Sequence, residues 1–144
     1  MKKFYCFTLI AAGLVILSSC CACRSGKSST GSLTANTWQI VELQGEPITI
    51  TDADTGKYTL TFGTDNRISG LAECNRFFGG YEAKEGNKLE ITGAGSTRMA
   101  CLNENFENQY LQMLDQVDAY RFEGRYLILT DANDYVIAMF KKVQ

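Results

Sequence analysis

Two hydrophobic periods divide the chain beyond residue 36. In several stretches between Thr37 and Ile91, and again from Tyr120 onward, apolar residues recur at every second position, the spacing of half-buried strands. Lys57-Tyr58-Thr59-Leu60-Thr61-Phe62 is the clearest case. Tyr58, Leu60 and Phe62 share one face, and Thr59 and Thr61 the other. Thr37 to Leu43 alternates around Trp38 and Ile40 and ends in a turn at Gly45-Glu46-Pro47. Gly63-Thr64-Asp65-Asn66 carries turn chemistry, and Arg67 to Ala72 returns from it. Phe77 to Ala83 forms a further strand, turned by Glu85-Gly86-Asn87 toward one marked by Leu89 and Ile91.

The period changes between Asn103 and Val117. Phe106, Tyr110, Leu114 and Val117 fall at helical spacing, with Leu111 and Met113 beside them. Asn103 suits the N-cap, and Glu104 and Glu107 suit the positive end of the helix dipole. This stripe predicts a helix packed against a sheet. Period two then resumes. Tyr120 and Phe122 pair across Glu123-Gly124-Arg125 with Leu127 and Leu129, and Asp131 to Asp134 turns into Tyr135 to Lys141. Seven to eight short strands and one α-helix predict a mainly β fold. A small antiparallel, barrel-like sheet removes exposed edges, with the helix against one side.

The first residues read as an address. Lys2 and Lys3 precede an uncharged, mostly apolar run from Phe4 to Leu17. Leu17-Ser18-Ser19-Cys20 then has the form of a bacterial lipoprotein signal. Small residues give the signal peptidase access to the backbone, and the Cys20 thiol takes the lipid. The competing reading is an uncleaved membrane anchor, because Phe4 to Cys23 is free of charge. The lipoprotein reading divides the chain into a signal peptide (1–19), a lipidated flexible linker (20–35) and a folded domain (36–144). It predicts attachment to a membrane through N-terminal acyl chains. The expected location is a Gram-negative cell envelope, at the outer membrane facing the periplasm.

Composition narrows the chemistry. The chain has no histidine, which excludes histidine-based catalytic triads and His-ligated metal sites. The net charge is −2, without the basic footprint of a nucleic-acid binder. Asp52-Ala53-Asp54-Thr55-Gly56 lacks the distal ligands of a calcium loop. Gly93-Ala94-Gly95-Ser96-Thr97 lacks the lysine of a phosphate loop. No enzymatic activity, cofactor or metal is expected.

Six cysteines fall into three groups. Cys6 leaves with the signal peptide. Cys21 and Cys23 adjoin the lipid site at Cys20. Cys74 and Cys101 lie in the domain, where an exported chain places either one disulfide or two buried thiols.

Ile68-Ser69-Gly70, Cys74-Asn75-Arg76-Phe77, Gly79-Gly80-Tyr81 and Thr97-Arg98-Met99-Ala100-Cys101 together resemble the signature of the META domain, the family of HslJ-type heat-shock lipoproteins. The resemblance spans roughly residues 33–143. It implies a small barrel-like fold with one helix, an envelope location, an association with stress resistance and no known enzyme activity. Residue chemistry adds roles within the motif. Gly70 permits a bulge or close packing. Asn75 suits a left-handed turn, and Gly79-Gly80 a tight corner. Arg76 and Arg98 flank the cysteines, either to satisfy loop carbonyls or to form an anion pocket between them.

The resulting expectation is a monomeric, lipid-anchored interaction module for an envelope protein partner, with a carrier of small apolar or anionic ligands as the alternative. An exposed apolar patch favours the module. A roomy barrel interior favours the carrier.

Overall fold

The computed structural model describes residues 32–34, 36–102 and 104–143. The expected signal peptide with Cys6, the expected lipid site Cys20, the cysteines Cys21 and Cys23, nearly all of the expected linker and the expected cap Asn103 lie outside these residues. Chain order gives β1 (Thr37–Leu43), β2 (Glu46–Pro47), β3 (Thr59–Phe62), β4 (Arg67–Leu71), β5 (Arg76–Ala83), β6 (Leu89–Ser96), α1 (Glu104–Leu114), β7 (Ala119–Glu123), β8 (Tyr126–Thr130) and β9 (Val136–Lys142). Every strand pairing is antiparallel, in the order β6-β5-β4-β3-β1-β9-β8-β7, with β2 folded back on β1.

The sheet curls into a half-barrel. Its two ends meet where Lys88 bridges Ala119 and the Leu89 N–H donates to the Asp118 carbonyl at 2.9 Å. The Lys88 ammonium also pairs with the Asp118 carboxylate. The alternation seen in the sequence decides what lines the concave side. Trp38, Ile40, Leu60, Phe62, Ile68, Phe77, Leu89, Leu127, Leu129 and Phe140 are all buried there. Helix α1 lays Tyr110, Met113 and Leu114 into the same core, all with no exposed surface. The Tyr110 ring lies 5.7 Å from that of Phe77 and 6.2 Å from that of Phe140. Each large side chain removed from water in this way contributes about 1.5–3 kcal/mol. The Tyr110 hydroxyl is buried without a hydrogen-bond partner among the described residues.

Several local expectations are corrected. The turn after β1 is a tight hairpin at Gln44-Gly45, both at positive φ (51° and 85°), the geometry that matches strand twist. Glu46 and Pro47 are therefore strand, not turn. The strand expected from Lys57 begins at Thr59. Tyr58 is left-handed, with φ 55°, and its ring packs edge-on against Phe106 at 4.8 Å. Gly79-Gly80 is not a corner. It lies within β5, where pairing with β6 shifts between Phe78 and Gly80. A Cβ on Gly79 would stand 3.0 Å from the Thr92 carbonyl oxygen, and one on Gly80 3.1 Å from the Thr92 hydroxyl. The helix is shorter than its stripe, since Val117 is buried beyond its end.

Candidate functional site

The motif residues converge where the β4–β5 turn meets the segment between β6 and α1. Cys74 and Cys101 are joined as a disulfide, with Cα atoms 5.7 Å apart. Of the two readings left open for these cysteines, the bonded pair is the one present. The bridge closes 27 residues of chain and ties the 97–101 segment to the turn.

Asn75 is the hub. It is 2% exposed, and its side chain uses its full hydrogen-bonding capacity. Nδ2 donates to Glu107 Oε1 at 2.7 Å and to the Met99 carbonyl at 2.9 Å. Oδ1 accepts from the Thr97 hydroxyl and the Met99 N–H, each at 2.7 Å. Asn75 is not among the residues at positive φ. The expected left-handed, self-satisfied turn is thus replaced by an amide that reaches across to another segment. Thr97 extends the network, its hydroxyl accepting from the Arg76 N–H at 3.1 Å.

Glu107 closes the junction from the helix. Its Oε2 faces the backbone N–H groups of Glu73, Cys74 and Asn75 at 3.3–3.4 Å and lies 3.1 Å from Cys101 Sγ. Three convergent N–H groups form a concavity suited to an anion, and a residue of the protein itself fills it. Glu73 is also buried, with Lys57 Nζ 3.9 Å from its carboxylate. Tyr58 stands above this acidic pair. Burial raises the pKa of its hydroxyl, and Glu73, Asp54 and Glu107 raise it further.

Ligand atoms of Glu73, Cys74, Cys101 and Glu107 lie within 4.8 Å of one another, a grouping whose residue types can hold a metal ion. The sulfurs are bonded to each other, however, and the N–H donors converge on Glu107 Oε2. The cluster reads as a structural knot.

Gly70 lies beside the knot. A Cβ there would come 1.9 Å from the Thr59 carbonyl oxygen and 2.5 Å from Phe77 Cζ, which is the close packing expected of it. Arg76 and Arg98 are both exposed, and neither guanidinium makes a hydrogen bond or ion pair among the described residues. They also line separate hollows. Arg76 stands with Gly70, Phe77 and Phe78, and Arg98 with Asn75, Thr97 and Met99. Among the described residues neither guanidinium reaches a loop carbonyl, and these two hollows are lined by one arginine each. Exposed apolar side chains stand nearby. Phe78 is 60% exposed, Met99 57%, and Leu102 fully. The Phe78 ring lies against Gly95, where an added Cβ would meet it at 3.6 Å.

The sequence singles out Asn75 but not its bond to Glu107. Asn75 and Glu107 are 32 residues apart, and nothing local couples them. The signal that was legible is the motif itself, whose Cys-Asn and Thr-x-x-x-Cys pieces supply most of the partners.

A family model of the META domain matches residues 31–144. The chain belongs to the META domain family. Solved structures agree with this fold. An NMR structure of a protein from Burkholderia xenovorans is 29% identical, covering 78% of this chain and 84% of its own, with a TM-score of 0.59. A second NMR structure is 26% identical over 76% of this chain and 90% of its own, with a TM-score of 0.58. The crystal structure of a DUF4847 family protein from Bacteroides vulgatus has a TM-score of 0.60 at 15% identity, over 76% and 93% of the two chains, and shares the fold alone. The matched span covers 84%, 93% and 90% of these three solved chains, so chains of little more than that span adopt the fold. No curated protein matches the chain.

Proposed function

We propose that this META-domain protein is a lipid-anchored, non-enzymatic interaction module of the cell envelope, tethered through Cys20 and serving envelope maintenance or stress resistance through a protein partner. The observation that carries this reading is where the apolar side chains lie. The concave side of the sheet is filled by Tyr110, Met113 and Leu114, which argues against carriage of a ligand inside the barrel. Phe78, Met99 and Leu102 face solvent around a junction fixed by the disulfide and Asn75. Arg76 and Arg98 add two exposed cations to this rim. Exposed aromatic, Met and Arg side chains on a rigid base are the composition of a protein-binding surface. The partner that fits presents apolar pockets edged by carboxylates.

The test is site-specific photocrosslinking of the full chain in cells, with a benzophenone amino acid at Phe78, Met99 or Leu102 and, as a control, at the exposed Asn133. The reading predicts a discrete adduct at the first three positions and none at the control, lost when Cys20→Ser removes the anchor. Equal adducts at all four positions, or none, would overturn it.

A further inference from the structure

A second surface, remote in sequence from the motif, has the chemistry of a binding site. A hollow of about 620 Å³ lies against the outer side of β1 and β9. Its size falls in the range of small-molecule pockets. One wall is aliphatic. Val41 stands at the bulge where the β1–β9 register shifts, and its carbonyl accepts from the Ile48 N–H at 2.9 Å. That bond brings the segment carrying Ile48 and Ile50 alongside the strand. The other wall is cationic. Lys141 lies opposite Gln39 and Tyr126 in the sheet, and the Lys142 N–H donates to the Arg125 carbonyl at 3.3 Å. Arg125, Lys141 and Lys142 all line the hollow, and among the described residues no carboxylate does. None of the three is in an ion pair among the described residues.

This concentration of positive charge occurs on a chain whose net charge is −2. Arg125, Lys141 and Lys142 all border this hollow, and an anion bound in it is attracted by each of them. An aliphatic wall beside them gains free energy from an apolar tail. We infer that the hollow binds a single-chain anionic amphiphile, its carboxylate or phosphate head on Arg125, Lys141 and Lys142 and its chain along Val41, Ile48 and Ile50. Such a molecule has two sources, a monomeric fatty acid or lysophospholipid and a lipid still within a bilayer. Monomer capture is the inference made here. It is independent of the interaction surface around the disulfide, because the hollow and that rim share no residue.

The experiment uses residues 31–144, the span of the META domain. Backbone amide NMR shifts are followed while dodecanoate is added below its micelle-forming concentration. Saturable shifts at Gln39, Val41, Ile48, Ile50 and Val143 are expected. Binding should weaken at least tenfold in Lys141→Glu/Lys142→Glu and in Ile50→Asp, with the rest of the spectrum unchanged. Dodecyltrimethylammonium, with the same tail and opposite charge, and acetate, with the head alone, should each bind at least tenfold more weakly. Shifts centred elsewhere, equal affinity for the cationic amphiphile, or no saturation would overturn the inference. Association with phosphatidylglycerol vesicles without monomer binding would overturn it too, by making the hollow a bilayer-facing patch.

Discussion

Asn75 Nδ2 donates to Glu107 Oε1 at 2.7 Å, and this bond joins the β4–β5 turn to the only α-helix among the described residues. The same amide fixes Met99 through both its N–H and its carbonyl. Replacing Asn75 by Ala strands several buried polar groups at once, each costing about 1–3 kcal/mol. Asn75→Ala should therefore lower the free energy of unfolding by about 3 kcal/mol or more, measured by urea denaturation. Glu107→Gln tests the other side. An amide nitrogen turned toward the N–H groups of Glu73, Cys74 and Asn75 meets donors with a donor, and a loss of about 1–3 kcal/mol is expected. A neutral result for both variants would show that the junction does not stabilise the fold.

The disulfide acts chiefly on the unfolded chain. Closing 27 residues contributes about 3.5 kcal/mol in the loop-entropy account. Cys74→Ser/Cys101→Ser should lose about that amount relative to the oxidised protein. The hydrogen bonds of Asn75 to Met99 remain in that variant, so hydrogen exchange at Met99 should quicken much less than in Asn75→Ala. Equal acceleration in the two would assign loop order to the bridge instead.

Gly70 tests packing without polarity. Its φ is not in the left-handed region, so Ala is conformationally acceptable there. The added methyl would meet backbone at Thr59 and the ring of Phe77, which must move apart. Gly70→Ala should destabilise by about 3 kcal/mol. Gly95→Ala, with ordinary contact distances to Phe78, should cost about 1 kcal/mol or less.

Three tyrosines set an alkaline limit. Burial raises the hydroxyl pKa of Tyr58, Tyr81 and, most strongly, Tyr110. A raised acid pKa means that the folded state holds protons the unfolded state has lost. The associated stability is fully present below the free tyrosine range near pH 10 and falls as pH rises through and above it. Absorbance titration should show these tyrosines ionising late, with unfolding at the upper end. Tyr110→Phe removes a hydroxyl that has no partner, so it should leave neutral-pH stability equal or slightly higher while extending the alkaline limit.

Periodicity carried most of the fold. The alternation around Leu60 and Phe62, and the stripe through Tyr110 and Leu114, are direct consequences of burying one face, so strands and helix fell close to their expected places. Backbone exceptions were not legible. Tyr58 adopts a left-handed conformation for which its side chain gives no cue, and it does so to place its ring on Phe106. Gly79-Gly80 has the composition of a corner, yet its lack of side chains serves close approach to Thr92. The site was half legible. Motif spacing brought Cys74, Asn75, Thr97 and Cys101 forward as a group. Glu107 was read as a first-turn acid, which fits its place on the helix but not its partner, because only the folded sheet sets the β4–β5 turn beneath it. The relation of Arg76 to Arg98 was likewise not legible. The two guanidiniums line different hollows, a separation invisible in a linear motif.

The measurement that bears most directly on the proposed function is in-cell crosslinking from Met99 in the full chain, compared between the native sequence and Arg76→Glu/Arg98→Glu. Both arginines are exposed and make no ion pair among the described residues, so the variant should fold with unchanged stability. An interaction surface at this junction predicts a discrete protein adduct from Met99 that falls at least tenfold when both charges are reversed. An adduct of unchanged yield in the variant, or no adduct in either, would contradict the account.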